Sequence, residues 1–290
     1  MKPRLLRLVT TLALAAGFIV TSMGPATAIT GGEPDNGRHP NVANILFYSP
    51  DGRFRCTATL ISPTILLTAA HCTVDTVGKT LVDFREVVDL APPSDYPVAA
   101  NPTTGYTPTE ITSAGFLAGT AYAHPDYSNF TDLANWNDVG VIVLDQPVTN
   151  IAPATLAPRD YLDDYAQPVL NKTLFTTVGY GTEVRKPDTG PQKPTPQSYP
   201  LIRRVAVEPG QKLTAQILQV NGNINDTRGT GGTCFGDSGG PTFLNGYLVA
   251  VTSYGYTANC RYLAGFQRVD IESVQTWLTE EFGIVVAPAA

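Results

Sequence analysis

The 290-residue chain has 43% hydrophobic and 15% charged residues, with 26 Gly and 24 Pro. That composition supplies a core and many turns, and it excludes a disordered chain. Nineteen Lys and Arg against 25 Asp and Glu give a net charge of −6 with no long basic run, which removes nucleic acid and anionic membrane surfaces as partners.

The chain opens on a secretory signal pattern. Lys2, Arg4 and Arg7 form a basic start, Leu8 to Val20 is an apolar run short for a bilayer, and Ala26-Thr27-Ala28 supplies a small-x-small cleavage site. The cleavage site argues against the alternative, an uncleaved anchor. No later segment reaches about 18 consecutive apolar residues. The mature protein is therefore expected to be secreted, off the membrane and monomeric. Removing residues 1–28 takes three of the 19 basic side chains and no acidic ones, leaving 16 against 25.

Next along the chain, Val42 to Tyr48, Thr57 to Ile61, Ile65 to Ala69, Val139 to Leu144, Thr173 to Val178, Tyr247 to Tyr254 and Ala264 to Arg268 are short β-branched or aromatic runs. They are separated by Gly, Pro, Asn and Asp, which reads as an all-β sandwich or barrels. Segments 83–119 and 186–200 are rich in proline and read as long surface loops. The stretch 151–167 looks like a connector between halves of similar size. Near the end, Asp270 can cap a helix whose Ile271, Val274, Trp277, Leu278 and Phe282 share one face. The expected organisation is a signal peptide (1–28), an N-terminal barrel (29–150), the connector (151–167), a C-terminal barrel (168–269), a helix (270–283) and a tail (284–290).

Cys56, Cys72, Cys234 and Cys260 contain no CxxC pair and no histidine at metal-ligand spacing. Outside the cell such thiols oxidise, so two disulfides are expected and zinc is not. Of the three possible pairings, spacing favours the two local ones.

The chemistry centres on Gly236-Asp237-Ser238-Gly239-Gly240-Pro241, one hydroxyl among glycines that permit tight turning and close backbone approach. The segment matches G-x-S-x-G, the nucleophile elbow of α/β-hydrolases, whose triad partners follow the serine. Here His39, His71 and His124 all precede Ser238, so any base must come from upstream. His71 ends an apolar strand beside a cysteine expected to be bridged, which holds its backbone still. His124 reads as a turn residue, and His39 precedes a proline near the mature N-terminus. For the carboxylate that orients the imidazole, Asp138 opens the run to Leu144; Asp145 at its far end is the rival, followed by Asp126 and Asp132.

Six segments, Ile29-Thr30-Gly31-Gly32, Thr68-Ala69-Ala70-His71-Cys72, Asn137-Asp138-Val139, Val178-Gly179-Tyr180-Gly181, Gly236 to Pro241 and Ser253-Tyr254-Gly255, stand in the order of the landmarks of chymotrypsin-like serine proteases. The chain resembles that family from Ile29 to the terminal helix. The resemblance implies an all-β chymotrypsin-like fold: two six-stranded antiparallel barrels with the cleft between them, a C-terminal α-helix, and disulfides Cys56 to Cys72 and Cys234 to Cys260. It implies a serine endopeptidase acting on polypeptides, with Ser238 as nucleophile, His71 as base and then acid, and Asp138 fixing the imidazole tautomer. Backbone N–H groups of Gly236 and Ser238 would form the oxyanion hole. Ser253 would support Asp138, and Ser253, Tyr254 and Gly255 would pair with an extended substrate.

By the same resemblance, a freed Ile29 amine would pair with Asp237 and organise the oxyanion hole. Thr30 stands where the family usually has valine. Because cleavage after Ala28 would itself expose Ile29, export and activation are expected to be one event. The pocket is assigned Gly232 at its base, Thr233 beside it, Gly255 on a wall and Ala264 where glycine is common. With no carboxylate at the base, cleavage after Lys or Arg is disfavoured and a neutral, apolar or small residue before the scissile bond is expected; Arg261, just past Cys260, would reverse that expectation if it folds into the pocket. The competing readings are a secreted inactive homologue kept for binding and an esterase on the same triad. Asn129, Asn171 and Asn225 begin sequons that matter only in a eukaryotic secretory route. No metal or organic cofactor is expected; a calcium loop in the acidic insertion is the alternative.

Overall fold

A computed structural model describes residues 29–89, 94–184 and 197–286. The expected signal peptide, most of segment 186–200 and the last four residues lie outside the described residues. The first barrel comprises β1 (Val42–Ser49), β2 (Gly52–Ser62), β3 (Ile65–Thr68), β4 (Val77–Asp83), β5 (Leu117–Ala123) and β6 (Gly140–Leu144), closed in the order β1-β2-β3-β6-β5-β4. The second comprises β7 (Leu174–Gly179), β8 (Arg204–Leu213), β9 (Ile217–Asn221), β10 (Pro241–Leu244), β11 (Tyr247–Gly255) and β12 (Leu263–Arg268). Its order is β8-β7-β10-β11-β12-β9, and β9 returns to β8. Both are antiparallel, and both disulfides take the local pairing, Cys56 with Cys72 and Cys234 with Cys260.

Strand β1 explains why a strict alternation is hard to read in this sequence. Ala43, Ile45 and Phe47 face the interior of the first barrel with Leu60, Leu66 and Ile142. Val42, Leu46 and Tyr48 face the other way and pack with Val178, Tyr180 and Val205 of the second barrel. Both faces of the strand are buried, so both are apolar apart from Asn44, whose amide donates to the Tyr96 hydroxyl at 2.9 Å.

Three sequence-based expectations are corrected. Segment 83–119 is not simply a surface loop: a helix α1 (Pro108–Ser113) starts at a capping box between Thr107 and Glu110. Tyr96, Tyr106 and Ile111 are buried in the core between the barrels, and β5 begins at Leu117. Five strands escaped the propensity reading, β4, β5, β8, β9 and β10. Four of them are interrupted by Gly, Pro or charged residues, as in Arg204, Glu208, Pro209 and Gly210 of β8, and the short β9 carries Gln219 and Asn221 among its apolar residues. Lastly, the terminal helix α2 (Glu272–Phe282) is not capped by Asp270; Ile271 is the cap residue and makes no side-chain cap bond. Asp270 is buried and already engaged, accepting from Arg268 Nε and Nη2 and from the Leu162 N–H.

Helix α2 ends at Gly283, whose φ of 64° forms the left-handed cap. Val274 and Leu278 are completely buried against both barrels, meeting Ile65 and Val141 of the first and Val251 of the second. Transfer from water stabilises each by about 2 kcal/mol. Ile284 joins that cluster, so the tail begins docked.

Candidate active site

His71 sits on a 3-10 turn (Ala70–Cys72) immediately after β3, beside the Cys56–Cys72 bridge. Asp138 stands just before β6, which is paired with β3. Asn137 precedes it with φ of 44° and is held by a bond from Ser273 Oγ. The Asp138 carboxylate, fully buried, binds His71 twice: Oδ1 accepts the His71 backbone N–H at 2.9 Å and Oδ2 faces ring Nδ1 at 2.8 Å. Close approach requires Gly140, where a Cβ would lie 2.8 Å from the Ala69 carbonyl oxygen. The ring is thereby fixed with Nε2 directed away from Asp138.

Asp138 is also gripped from the second barrel. Ser253 Oγ donates to Oδ2 at 2.6 Å, and Trp136 Nε1 donates to Ser253 Oγ at 3.0 Å. The Asp138 N–H donates to Gln267 Oε1 at 3.0 Å. No motif pointed to Trp136 or Gln267, because their partners lie 117 and 129 residues away.

The Ser238 loop is held between the two barrels. Thr57 of β2 donates its N–H to the Ser238 carbonyl at 2.8 Å and its hydroxyl to the Gly236 carbonyl at 2.9 Å. From β11, the Thr252 carbonyl accepts the Gly239 N–H at 2.8 Å. Gly239, with φ of 74°, lies so close that a Cβ would be 2.6 Å from the Ala69 nitrogen, two residues before His71. The rival acids are elsewhere: Asp145 pairs with Lys79, and Asp132 caps a turn through the Ala134 N–H. His124 is buried against Trp277, and burial lowers its affinity for a proton.

A cavity of about 350 Å³ opens beside Ser238, lined by Thr233, Ser253, Tyr254, Gly255 and Ala264, with Tyr256 and Tyr262 as aromatic walls. Gly232 is not in that lining; it packs on Gly222, and a Cβ there would lie 2.5 Å from the Gly222 Cα. Behind Gly222 stands a carboxylate that the sequence did not place near the pocket. Glu208 is fully buried, accepts from Thr177 Oγ1 at 2.9 Å, and is pushed up to about 8 chiefly by burial. It is not among the residues that line the cavity.

Ile29 and Thr30 are fully buried, and Thr30 bridges Gly232. Asp237, also buried, accepts the N–H groups of Gly181 at 2.7 Å and Cys234 at 2.8 Å. Burial pushes its carboxyl up to about 7 against those bonds and against the charge of Arg55. In the uncut chain the Ile29 nitrogen is a peptide amide and offers no charge. Among the described residues, the cluster Cys56, His71 and Cys72 has the spacing of a metal site, but its sulfurs are bonded to each other and withdrawn as ligands.

The Trypsin family model matches residues 29–278. The chain belongs to the trypsin family. It is 30% identical over 233 residues to a trypsin of Saccharopolyspora erythraea, covering 78% of this chain and 86% of that protein. It is 31% identical over 242 residues to a brachyurin of Leptuca pugilator, covering 81% and 90%. A solved structure of HL collagenase superposes with a TM-score of 0.62 at 21% identity, over 89% of this chain and all of that one, which establishes the shared fold. This member of the trypsin family is a serine endopeptidase with a chymotrypsin-like fold and two disulfides. Polypeptides are its substrates, and no helix among the described residues is long and apolar enough to cross a membrane.

Proposed function

We propose that this serine endopeptidase is secreted and cleaves by a Ser238, His71, Asp138 triad through an acyl-enzyme, with a neutral apolar or small residue before the scissile bond. The observation that carries the reading is the double grip of Asp138 on His71, completed by Ser253, next to the stapled Ser238 loop. In this reading His71 Nε2 takes the Ser238 proton as Oγ attacks the carbonyl, and Asp138 stabilises the imidazolium that forms. The N–H groups of Gly236 and Ser238 receive the developing oxyanion, each donor contributing about 3 kcal/mol to transition-state stabilisation. His71 then protonates the leaving amine, and water repeats the sequence on the ester. The substrate pairs with Ser253 to Gly255 as an added strand.

The lining of the cavity supports the specificity. It holds tyrosines, small residues and no carboxylate, so a cationic side chain would lose its hydration without gaining a partner. In the same reading, signal cleavage before Ile29 frees an ammonium that pairs with the buried Asp237, coupling export to activation.

The test is labelling of protein beginning at Ile29 with a fluorophosphonate, followed by a panel of peptides varied before the scissile bond. Rapid labelling of wild type and none of His71→Ala is the expected result, with fastest cleavage after apolar residues. Equal labelling of both proteins removes the triad; preferred cleavage after Lys or Arg removes the pocket reading.

A further inference from the structure

A second cavity, of about 380 Å³, lies on the far side of the Ser238 loop. It shares Phe235 with the first and borders Gly236 and Arg55 at the start of the segment that staples Ser238. The acyl half of a substrate runs along Ser253 to Gly255, so the amine half leaves toward this opposite side. We propose that this cavity receives the leaving-group side of the substrate and selects an acidic side chain there, with Arg55 as the residue that reads it. The inference rests on the protease reading above.

The lining carries the chemistry. Arg53 and Arg55 are half-buried, and no acidic side chain is among the described lining residues, on a chain whose net charge is −6. Arg55 lies 6.0 Å from the Tyr199 ring centre, and its Nε is 3.3 Å from the place a Gly236 Cβ would take. Arg53 rests over the rings of Tyr106 and Tyr48, with Nε and Nη2 buried and without a hydrogen-bond acceptor. A rigid guanidinium fork matched to a carboxylate gives direction as well as charge. Phe54, Tyr199 and Phe235 are all about half exposed and supply apolar walls for the methylenes of a Glu side chain.

Burial disfavours the Arg55 cation, and Asp237 behind Gly236 partly offsets this. Once the Ile29 ammonium pairs with Asp237, that compensation weakens, and a substrate carboxylate restores a counter-charge for Arg55. Acidic preference on the leaving side thus belongs to the activated form.

The experiment uses protein beginning at Ile29 and internally quenched peptides with one fixed acyl half and amidated C-termini. Glu, Gln, Lys or Phe is placed at the first or second position after the scissile bond. For wild type at low salt, kcat/KM with Glu should exceed that with Gln by about tenfold and that with Lys by more, the contrast shrinking in high salt. Arg55→Gln should bring Glu and Gln within about twofold of each other, and Arg55→Glu should favour Lys. Equal rates for Glu and Gln in wild type overturn the inference without any variant. So does Phe surpassing Glu, or a Glu preference that survives Arg55→Gln. A nitroanilide of the same acyl half, which has no residue on the leaving side, separates the two levels. Failure to hydrolyse it refutes the protease reading; hydrolysis without a Glu preference refutes only the leaving-side assignment.

Discussion

Two His–Asp pairs in this protein look alike locally, His71 with Asp138 and His39 with Asp35. Each aspartate is fully buried, and each histidine side chain is 22% exposed. In both, one carboxylate oxygen accepts the histidine's own backbone N–H at 2.9 Å while the other faces Nδ1, at 2.8 Å for His71 and 2.5 Å for His39. They differ in what surrounds them. Asp35 also binds Arg203 Nε at 2.9 Å, a buried fixed cation, and His39 stacks on Phe243. Asp138 is completed by the neutral Ser253 hydroxyl, and its histidine stands beside the Ser238 loop. An acid already balanced by arginine has less charge left to stabilise an imidazolium. The pair is a common structural device, and its neighbours decide whether it can move a proton.

The sharpest way to break this comparison is to delete each ring. His71→Ala should lower kcat on a neutral nitroanilide by about a million-fold, as when the nucleophile or the base of a unit acting in concert is removed. His39→Ala should leave kcat within about twofold, because its ring touches no reacting group. Equal losses in the two variants would dissolve the distinction.

A smaller effect is expected at the buried acids that His71 does not touch. Adding one residue before Ile29 should misplace the amine and leave Asp237 unpaired, costing about 3–5 kcal/mol, or roughly a thousand-fold in activity. The sign with pH follows from the raised acids. Asp237 moves from 3.8 to about 7 and Glu208 from 4.5 to about 8. Between those limits the unfolded chain releases protons that the folded chain keeps, so stability of the extended protein should fall as pH rises from 4 to 8. Urea unfolding across that range measures it, and Asp237→Asn should flatten much of the slope. A rising or flat profile in the extended protein refutes the assignment.

Ser253→Ala should reduce kcat about tenfold, with a smaller effect on KM from its place in the cavity lining, since it removes one charge-assisted bond to Asp138. A change confined to KM would place Ser253 in binding alone.

The smallest effect belongs to His39. His39→Ala should lower stability by about 1–3 kcal/mol through an under-satisfied buried carboxylate. Burial alone would raise the Asp35 carboxyl, but His39 and Arg203 overcome it and hold it at about 2. Its contribution to stability is therefore present above its ordinary 3.8 and lost as pH falls toward 2. In the variant that loss should be smaller and complete at higher pH; an unchanged acid limb would show that Arg203 alone holds the carboxylate.

Much of the site was legible because its residues sit in short, unusual segments. Glycines around Ser238, an apolar run ending at His71 and an acid opening a strand are local signals, and the chain order of histidine before serine excluded the other G-x-S-x-G fold. Strands with mixed composition were not legible. Arg204 and Glu208 of β8 are wholly buried, which no alternation of polar and apolar residues announces. Trp136, Gln267, Arg55 and Arg203 were equally silent, since each acts on partners more than 100 residues away or on a surface formed by two segments.

The amino-acid order by itself determined the class of chain, strand-rich, turn-rich and cysteine-bridged, along with the motifs that mark its family. Only the tertiary structure decided which of two locally similar His–Asp pairs stands beside the Ser238 loop, and where Glu208 is buried. The reason is physical: propensity and pattern act over a few residues, whereas field, desolvation and hydrogen-bond reach act through space, between strands that closure of the two barrels brings together.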